Sequence, residues 1–169
     1  MLLSDARRLL QSAPLNKTHP QTWADLGCGD GLFTRALERL LPAGSQIYGV
    51  DRTKRTLPEP LRFIQANFEQ DDLPLTRLTG ILMANSLHYV RDKEALLRKL
   101  KGYMPGEGLF LIVEYDTMKA NPYVPYPIDF AHLEALFGKA HVGQAVRLED
   151  RPSAFGKVQM YAAAILVTV

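Results

Sequence analysis

Three glycines on alternate positions constrain this chain more than any other stretch: residues 23 to 33 read Trp-Ala-Asp-Leu-Gly-Cys-Gly-Asp-Gly-Leu-Phe. They stand between an apolar run of strand length and a segment in which Leu32, Phe33, Ala36, Leu37, Leu40 and Leu41 recur at helical spacing. A strand that turns straight into a helix through bare backbone presents unpaired N–H donors at the helix start, with no Cβ to hold a ligand off. The stretch therefore predicts a strand, a tight loop and a helix, with a nucleotide-like ligand at the loop.

The rest of the chain repeats that alternation. Strand-length apolar runs fall at 21–26, 46–51, 61–65, 80–84 and 109–114, and helical spacing at 32–41, 92–103 and 128–137, with Ser4 placed to cap a short helix over 5–13. Only residues 52–60, Pro58 and Pro60 among them, separate the second strand from the third. A parallel crossover usually needs a dozen residues or more, so its helix is expected to shrink to about a turn. Two last runs, 145–148 and 158–169, flank the turn residues Asp150, Pro152, Ser153 and Gly156 and predict a terminal hairpin. The expected fold is α/β: a three-layer α/β/α sandwich around a seven-stranded, mostly parallel sheet with an antiparallel C-terminal strand. At 169 residues and 47% hydrophobic, one domain over 1–169 is enough to hold it.

Composition removes several function classes. The net charge is +2 and the basic residues are scattered, which argues against a dedicated nucleic-acid binder. The single cysteine, Cys28, allows no internal disulfide and no cysteine metal cluster, and fits a reducing, cytoplasmic setting. His19, His132 and His141 lack ligand spacing, so no metal site is expected. The first residues lack the apolar core of a signal peptide, and the apolar tail is far shorter than the ~20 residues that span a bilayer, so no membrane is expected.

The glycine loop excludes two common nucleotide sites. It has no Gly-Lys-Ser/Thr ending for a triphosphate, and Leu32 stands where a dinucleotide fingerprint needs glycine or alanine. Asp25 followed by Gly-x-Gly-x-Gly instead resembles the leading motif of the class I S-adenosylmethionine-dependent methyltransferases. The resemblance continues in register over roughly residues 22–116 through Gly49-Val50-Asp51, Gln65-Ala66-Asn67-Phe68, the stretch Ala84-Asn85-Ser86-Leu87-His88-Tyr89-Val90, and the helix and Pro105-Gly106 turn before the fifth strand. It implies S-adenosylmethionine, leaving as S-adenosylhomocysteine, across the carboxyl ends of the first, second and fourth strands. Asp25, Gly27, Cys28, Gly29 and Gly31 would line the methionine end, and Asp51 would accept from the ribose hydroxyls. Arg52 would stack on adenine, Asn67 and the Phe68 N–H would meet its polar edge, and Asn85, Ser86 and Leu87 would bracket the ligand. The sequence departs from the family at Arg52, where an apolar residue is commoner, at Thr79-Gly80, where the fourth strand often begins with Asp, and at the short second crossover.

Methyl transfer is an in-line displacement by a nucleophilic O, N, S or C, and positioning supplies much of the acceleration, so a base is not obligatory. His88, Tyr89 and Tyr115 are the candidates for acid–base work, following the fourth strand and ending the fifth. Glu114, Tyr123 and Tyr126 are candidates for contact with the acceptor, the last two on a loop over 116–127 that would wall its pocket. Cys28 is rejected as a nucleophile for want of a histidine partner, and Asp30 is read as a helix cap. Asn121-Pro122-Tyr123 is not the Asn-Pro-Pro-Tyr element of amino-methylating enzymes: it lacks the second proline and follows the wrong strand. A small organic acceptor is expected ahead of protein or tRNA, and a homodimer or an activating partner would suit so short a chain. The competing readings are a cofactor-binding scaffold without turnover and an NAD-dependent oxidoreductase.

Overall fold

The computed structural model describes residues 1–153 and 158–167. In chain order it forms α1 (Leu3–Leu10), β1 (Thr22–Leu26), α2 (Leu32–Glu38), β2 (Gln46–Asp51), β3 (Arg62–Gln65), β4 (Gly80–Ala84), α3 (Lys93–Lys101), β5 (Gly108–Tyr115), α4 (Phe130–Lys139), β6 (Ala145–Pro152) and β7 (Gln159–Val167). A 3-10 turn over Leu87–Tyr89 follows β4.

The seven strands form one sheet in the order β3-β2-β1-β4-β5-β7-β6. β1 to β5 are parallel, and β7 runs antiparallel to both of its neighbours, as the terminal hairpin predicted. Chain progression outward from β1 goes one way to β2 and β3, and from β4 the other way to β5. The switch therefore lies between β1 and β4, and open sheets of this kind bind ligands at the carboxyl ends beside it.

Strand β5 shows why a continuous apolar run was needed. Successive side chains point to opposite faces. Leu109, Leu111 and Val113 join α1 and α2 in one core, with Trp23 and Phe33, while Phe110 and Ile112 join α3 and α4 in the other, with Met83 and Phe137. A sheet covered on both faces admits no polar alternation in its central strands. The family departure at Gly80 has a cause here: Trp23 pairs across the sheet with it, and a Cβ at Gly80 would lie 2.4 Å from the indole ring.

Several boundaries differ from expectation. Ser4 does not cap α1; the helix starts two residues earlier, at Leu3, with the Asp5 carboxylate accepting the Leu2 N–H, and ends by Leu10. α4 starts at Phe130 because Asp129 caps it, accepting the His132 N–H at 2.9 Å. Asp150 and Pro152, expected in the turn, lie in β6, which is lengthened past an irregularity between Arg147 and Glu149. Gly156, Thr168 and Val169 fall outside the described residues. The second crossover has no helical turn at all; Leu57 takes its place, packing where a Cβ on Gly31 or on Gly49 would be only 2.6 Å away. Among the described residues no helix is long and apolar enough to cross a membrane.

Candidate functional site

One half of the candidate site is built from backbone. Beyond β1 the chain hooks over β2, the Gly27 and Cys28 N–H groups both donating to Val50 O, at 2.8 and 3.1 Å. Gly27 takes φ +78°, and a Cβ there would lie 2.5 Å from the Ser86 Cβ, so conformation and close approach both demand glycine. Ser86 is buried and its hydroxyl donates to Leu26 O at 2.6 Å, pinning the loop after β4 to the end of β1. Gly31, at φ +76°, starts α2 without a side-chain cap. Asp30, read from sequence as that cap, instead projects into solvent and pairs with Arg55 at 2.9 Å, because the left-handed Gly31 occupies the cap position itself.

Asp51 holds this loop in place. One carboxylate oxygen accepts the Gly29 N–H at 3.1 Å and the other the Thr53 N–H at 2.8 Å, while the residue stays half-buried at the strand end. Each oxygen keeps a further lone pair that a diol can use. Above Gly29 there is open space: a Cβ there would meet no atom within 4 Å.

Asp25 is 1% exposed in β1. Its Oδ2 accepts the Thr34 hydroxyl of α2 at 2.6 Å, but its Oδ1 is buried without a partner. Burial raises its pKa to about 7, against the lowering effect of the Thr34 bond and with a smaller push from the Asp51 charge. A buried acceptor without a donor is costly unless a ligand supplies one. Cys28 is a packing residue here: its thiol lies over Gly49, and burial, reinforced by Asp25 and Asp51, pushes its pKa up to about 12, so it stays protonated.

Of the residues expected near adenine, Arg52 is exposed and its carbonyl accepts from the Gln65 side chain. Asn67 Oδ1 accepts the Glu69 N–H in a local turn, and the Phe68 ring packs beside Gly27. Leu87 is fully buried in the α3/α4 core, which leaves only its backbone for a ligand.

The other half of the site is built from side chains around a cavity of about 930 Å³, bordered by Asn85, His88, Tyr89, Tyr115, Tyr123 and Val158 among others. Asn85 has left-handed backbone at φ 55°, and its Oδ1 is a second buried oxygen without a partner. His88 is 2% exposed, and its Nδ1 lies 2.6 Å from Glu114 Oε2 while its N–H donates to Glu114 Oε1 at 3.1 Å. Glu114 thus stands behind His88 instead of lining the cavity. Tyr115 has its hydroxyl pKa raised by burial first, then by Glu114 and Tyr89.

Tyr126 is an anchor for the 116–127 loop. Its N–H donates to His88 O at 2.9 Å, and its carbonyl accepts from Lys93 Nζ at 2.8 Å. Lys93 also donates to Val90 O at 2.7 Å, and burial lowers its pKa. Lys93 and Thr34 were not singled out from sequence. Both sit on regular helices, and only the position of Thr34, three residues after the last loop glycine, hinted at its use.

The residues present fit S-adenosylmethionine on three observations: the open space over a left-handed glycine loop, Asp51 at the adjoining strand end, and a buried Asp25 oxygen that lacks a donor.

Comparison with known proteins places these features in a family context. Residues 3–160 match the profile of a family described as a methyltransferase domain. A 93-residue stretch is 37% identical to trans-aconitate 2-methyltransferase of Pseudomonas aeruginosa, covering 52% of this chain and 34% of that protein. An uncharacterized methyltransferase of Mycobacterium tuberculosis is 26% identical over 99 residues, 55% of this chain and 50% of its own. The chain therefore spans between a third and a half of the curated relatives it matches. Among solved structures, 1,6-didemethyltoxoflavin-N1-methyltransferase of Burkholderia thailandensis, with 1,6-didemethyltoxoflavin and S-adenosylhomocysteine bound, superposes at a TM-score of 0.73 and 19% identity, over 99% of this chain and 78% of that one. A SAM-dependent methyltransferase of Aquifex aeolicus does so at 0.66 and 12%, over 99% and 100%. At such identities the likeness is one of fold.

Proposed function

This chain belongs to the methyltransferase-domain family, and on that premise we propose that it transfers the methyl group of S-adenosylmethionine to a small organic acceptor held in the cavity beside His88, Tyr89 and Tyr115. S-adenosylmethionine supplies a methyl carbon already activated on a sulfonium. The chain supplies position: the glycine loop and Asp51 would hold the nucleoside side, Asp25 would accept from the ammonium group, and the aromatic cavity would seat the acceptor.

One observation carries the reading. Asn85 opens the loop after β4, the strand next to β1, and it also borders the cavity, so a ligand on the glycine loop and a molecule in the cavity would share a wall. An open chamber there supports turnover over a scaffold that only binds the cofactor. Its volume lies within the range of small-molecule sites, roughly 300–1,000 Å³. The names of the Pseudomonas and Burkholderia proteins, both of which act on small organic molecules, favour that class over protein or tRNA.

Calorimetry with S-adenosylmethionine, S-adenosylhomocysteine and NAD tests the donor. The first two are expected to bind and NAD not; selective NAD binding would sink the reading in favour of an oxidoreductase. The dependence of specific activity on enzyme concentration then separates a self-sufficient chain from one that needs a second copy or an activating partner.

A further inference from the structure

We propose that His88 and Glu114 form a general-base dyad, and that the acceptor is a planar aromatic or heteroaromatic molecule whose reacting O–H or N–H still carries its proton at neutral pH. This deepens the methyl-transfer reading and rests on it.

The geometry of the pair is the first ground. Glu114 is 1% exposed, and both its oxygens are spent on one residue, accepting the backbone N–H and the Nδ1–H of His88. A carboxylate in a core strand, directly after Val113, is costly where an apolar side chain would pack freely. What it secures is the tautomer. With Nδ1 donating, the lone pair sits on Nε2. Nε2 makes no hydrogen bond among the described residues, and His88 borders the cavity.

The walls of the cavity are the second ground. The Tyr89 ring lies 4.3 Å from that of His88 and the Tyr115 ring 6.0 Å, both tilted, and Tyr123 adds a further aromatic face. Flat π-surfaces around one basic nitrogen suit a flat acceptor that presents its polar edge to that nitrogen. A base also says what the acceptor is not. A carboxylate nucleophile is ionised at neutral pH and gains nothing from Nε2, whereas a phenol, enol or ring N–H must lose a proton to become a good nucleophile.

The step balances as follows. The acceptor's electron pair forms the new bond to the methyl carbon, the carbon–sulfur pair stays with sulfur, and the acceptor's proton goes to His88 Nε2. Sulfur loses its positive charge, the imidazole gains one, and Glu114 stabilises that imidazolium as a positioning residue. The other ionisable groups around the pair are Tyr89, Tyr115 of β5, Lys93 of α3 and Tyr161 of β7; the last three all feel the Glu114 charge.

The test uses labelled S-adenosylmethionine and three probes: 2-naphthol and xanthine, which carry the proton at neutral pH, and pentafluorophenol, which has lost it. Wild-type protein is expected to methylate at least one protonated probe, with kcat falling on the acid side as a base-dependent step requires, while transfer to pentafluorophenolate stays flat there. His88→Gln is expected to lose about 100-fold in kcat on the protonated probe, with KM changed less than about threefold, and under about tenfold on pentafluorophenolate. Glu114→Gln is expected to lose about tenfold in kcat on the protonated probe and under about threefold on pentafluorophenolate, with Glu114→Asp partly restoring the loss. Equal losses of His88→Gln on both probe types, a flat wild-type profile on the protonated probe, or turnover of neither protonated probe would each overturn the dyad. The wild-type profile needs no variant to fold. Calorimetric binding of S-adenosylmethionine to the wild type reports separately: if that is absent, methyl transfer itself fails, and if it is present while the profiles disagree, only the dyad does.

Discussion

Asp25 and Glu114 are both 1% exposed near the carboxyl ends of their strands, yet they are bonded in opposite ways. Asp25 has one donor, Thr34, and one oxygen with none; Glu114 has both oxygens filled by His88. On the proposed reading, the incomplete carboxylate is the one that would meet the ammonium group of the methyl donor. The Glu114 carboxylate is completed by His88, which leaves His88 Nε2 and, on the same wall, Asn85 Oδ1 without a partner among the described residues. An incomplete carboxylate belongs where a ligand is bound through its charge, and a completed one where a neighbouring side chain must hold one orientation.

The largest test of that contrast is Asp25→Asn. With its cation acceptor gone, S-adenosylmethionine affinity is expected to fall about 100-fold by calorimetry. Stability should move the other way. Because burial raises the folded-state pKa to about 7, the folded protein keeps a proton that the unfolded chain releases from the ordinary carboxylate range upward. Folding stability therefore falls as pH rises toward about 7, by roughly 4 kcal/mol over the full shift, and the variant lacks this slope. Thermal unfolding at pH 8 should find Asp25→Asn at least as stable as wild type. A variant that loses stability together with affinity would mark Asp25 as a structural residue and break the comparison. In the wild type, affinity for the cationic cofactor is expected to rise with pH through about 7 and then level off.

Gly27→Ala probes the backbone of the donor half. The added Cβ meets Ser86 in a left-handed conformation, and denaturant unfolding should show a loss of about 2–3 kcal/mol. Lys93→Met probes the acceptor half by releasing the Tyr126 carbonyl. An acceptor KM raised about fivefold, with S-adenosylmethionine affinity within about twofold, would sharpen the division between halves. Arg55→Ala should do least, under about 0.5 kcal/mol by thermal unfolding, because its partner Asp30 has a side chain 88% exposed.

How far the sequence announced all this depends on how local each feature is. The glycine loop and Asp51 are short-range statements: alternating glycines between a strand and a helix leave few conformations, and Asp51 ends the very next strand. The central strands were equally legible, because a sheet covered on both faces writes itself as uninterrupted apolar runs. Asp30 misled because a carboxylate before a helix usually caps it, and nothing in the chain order told of Arg55. The hairpin residues Asp150 and Pro152 read as a turn, whereas the pairing of β6 with β7 drew them into an edge strand, where a missing N–H is tolerated.

Glu114 was legible only as an acid at a strand end. Its partner lies 26 residues earlier, on a turn after a different strand, and the pair exists because β4 and β5 are neighbours. The sequence by itself determined the sheet, the loop and the kind of ligand the loop admits, since these follow from backbone freedom and apolar period within a few residues. Only the tertiary structure decided which buried carboxylate is left short of a donor and which is satisfied. That depends on what side chains from distant segments bring within about 3 Å, a distance that periodicity does not encode.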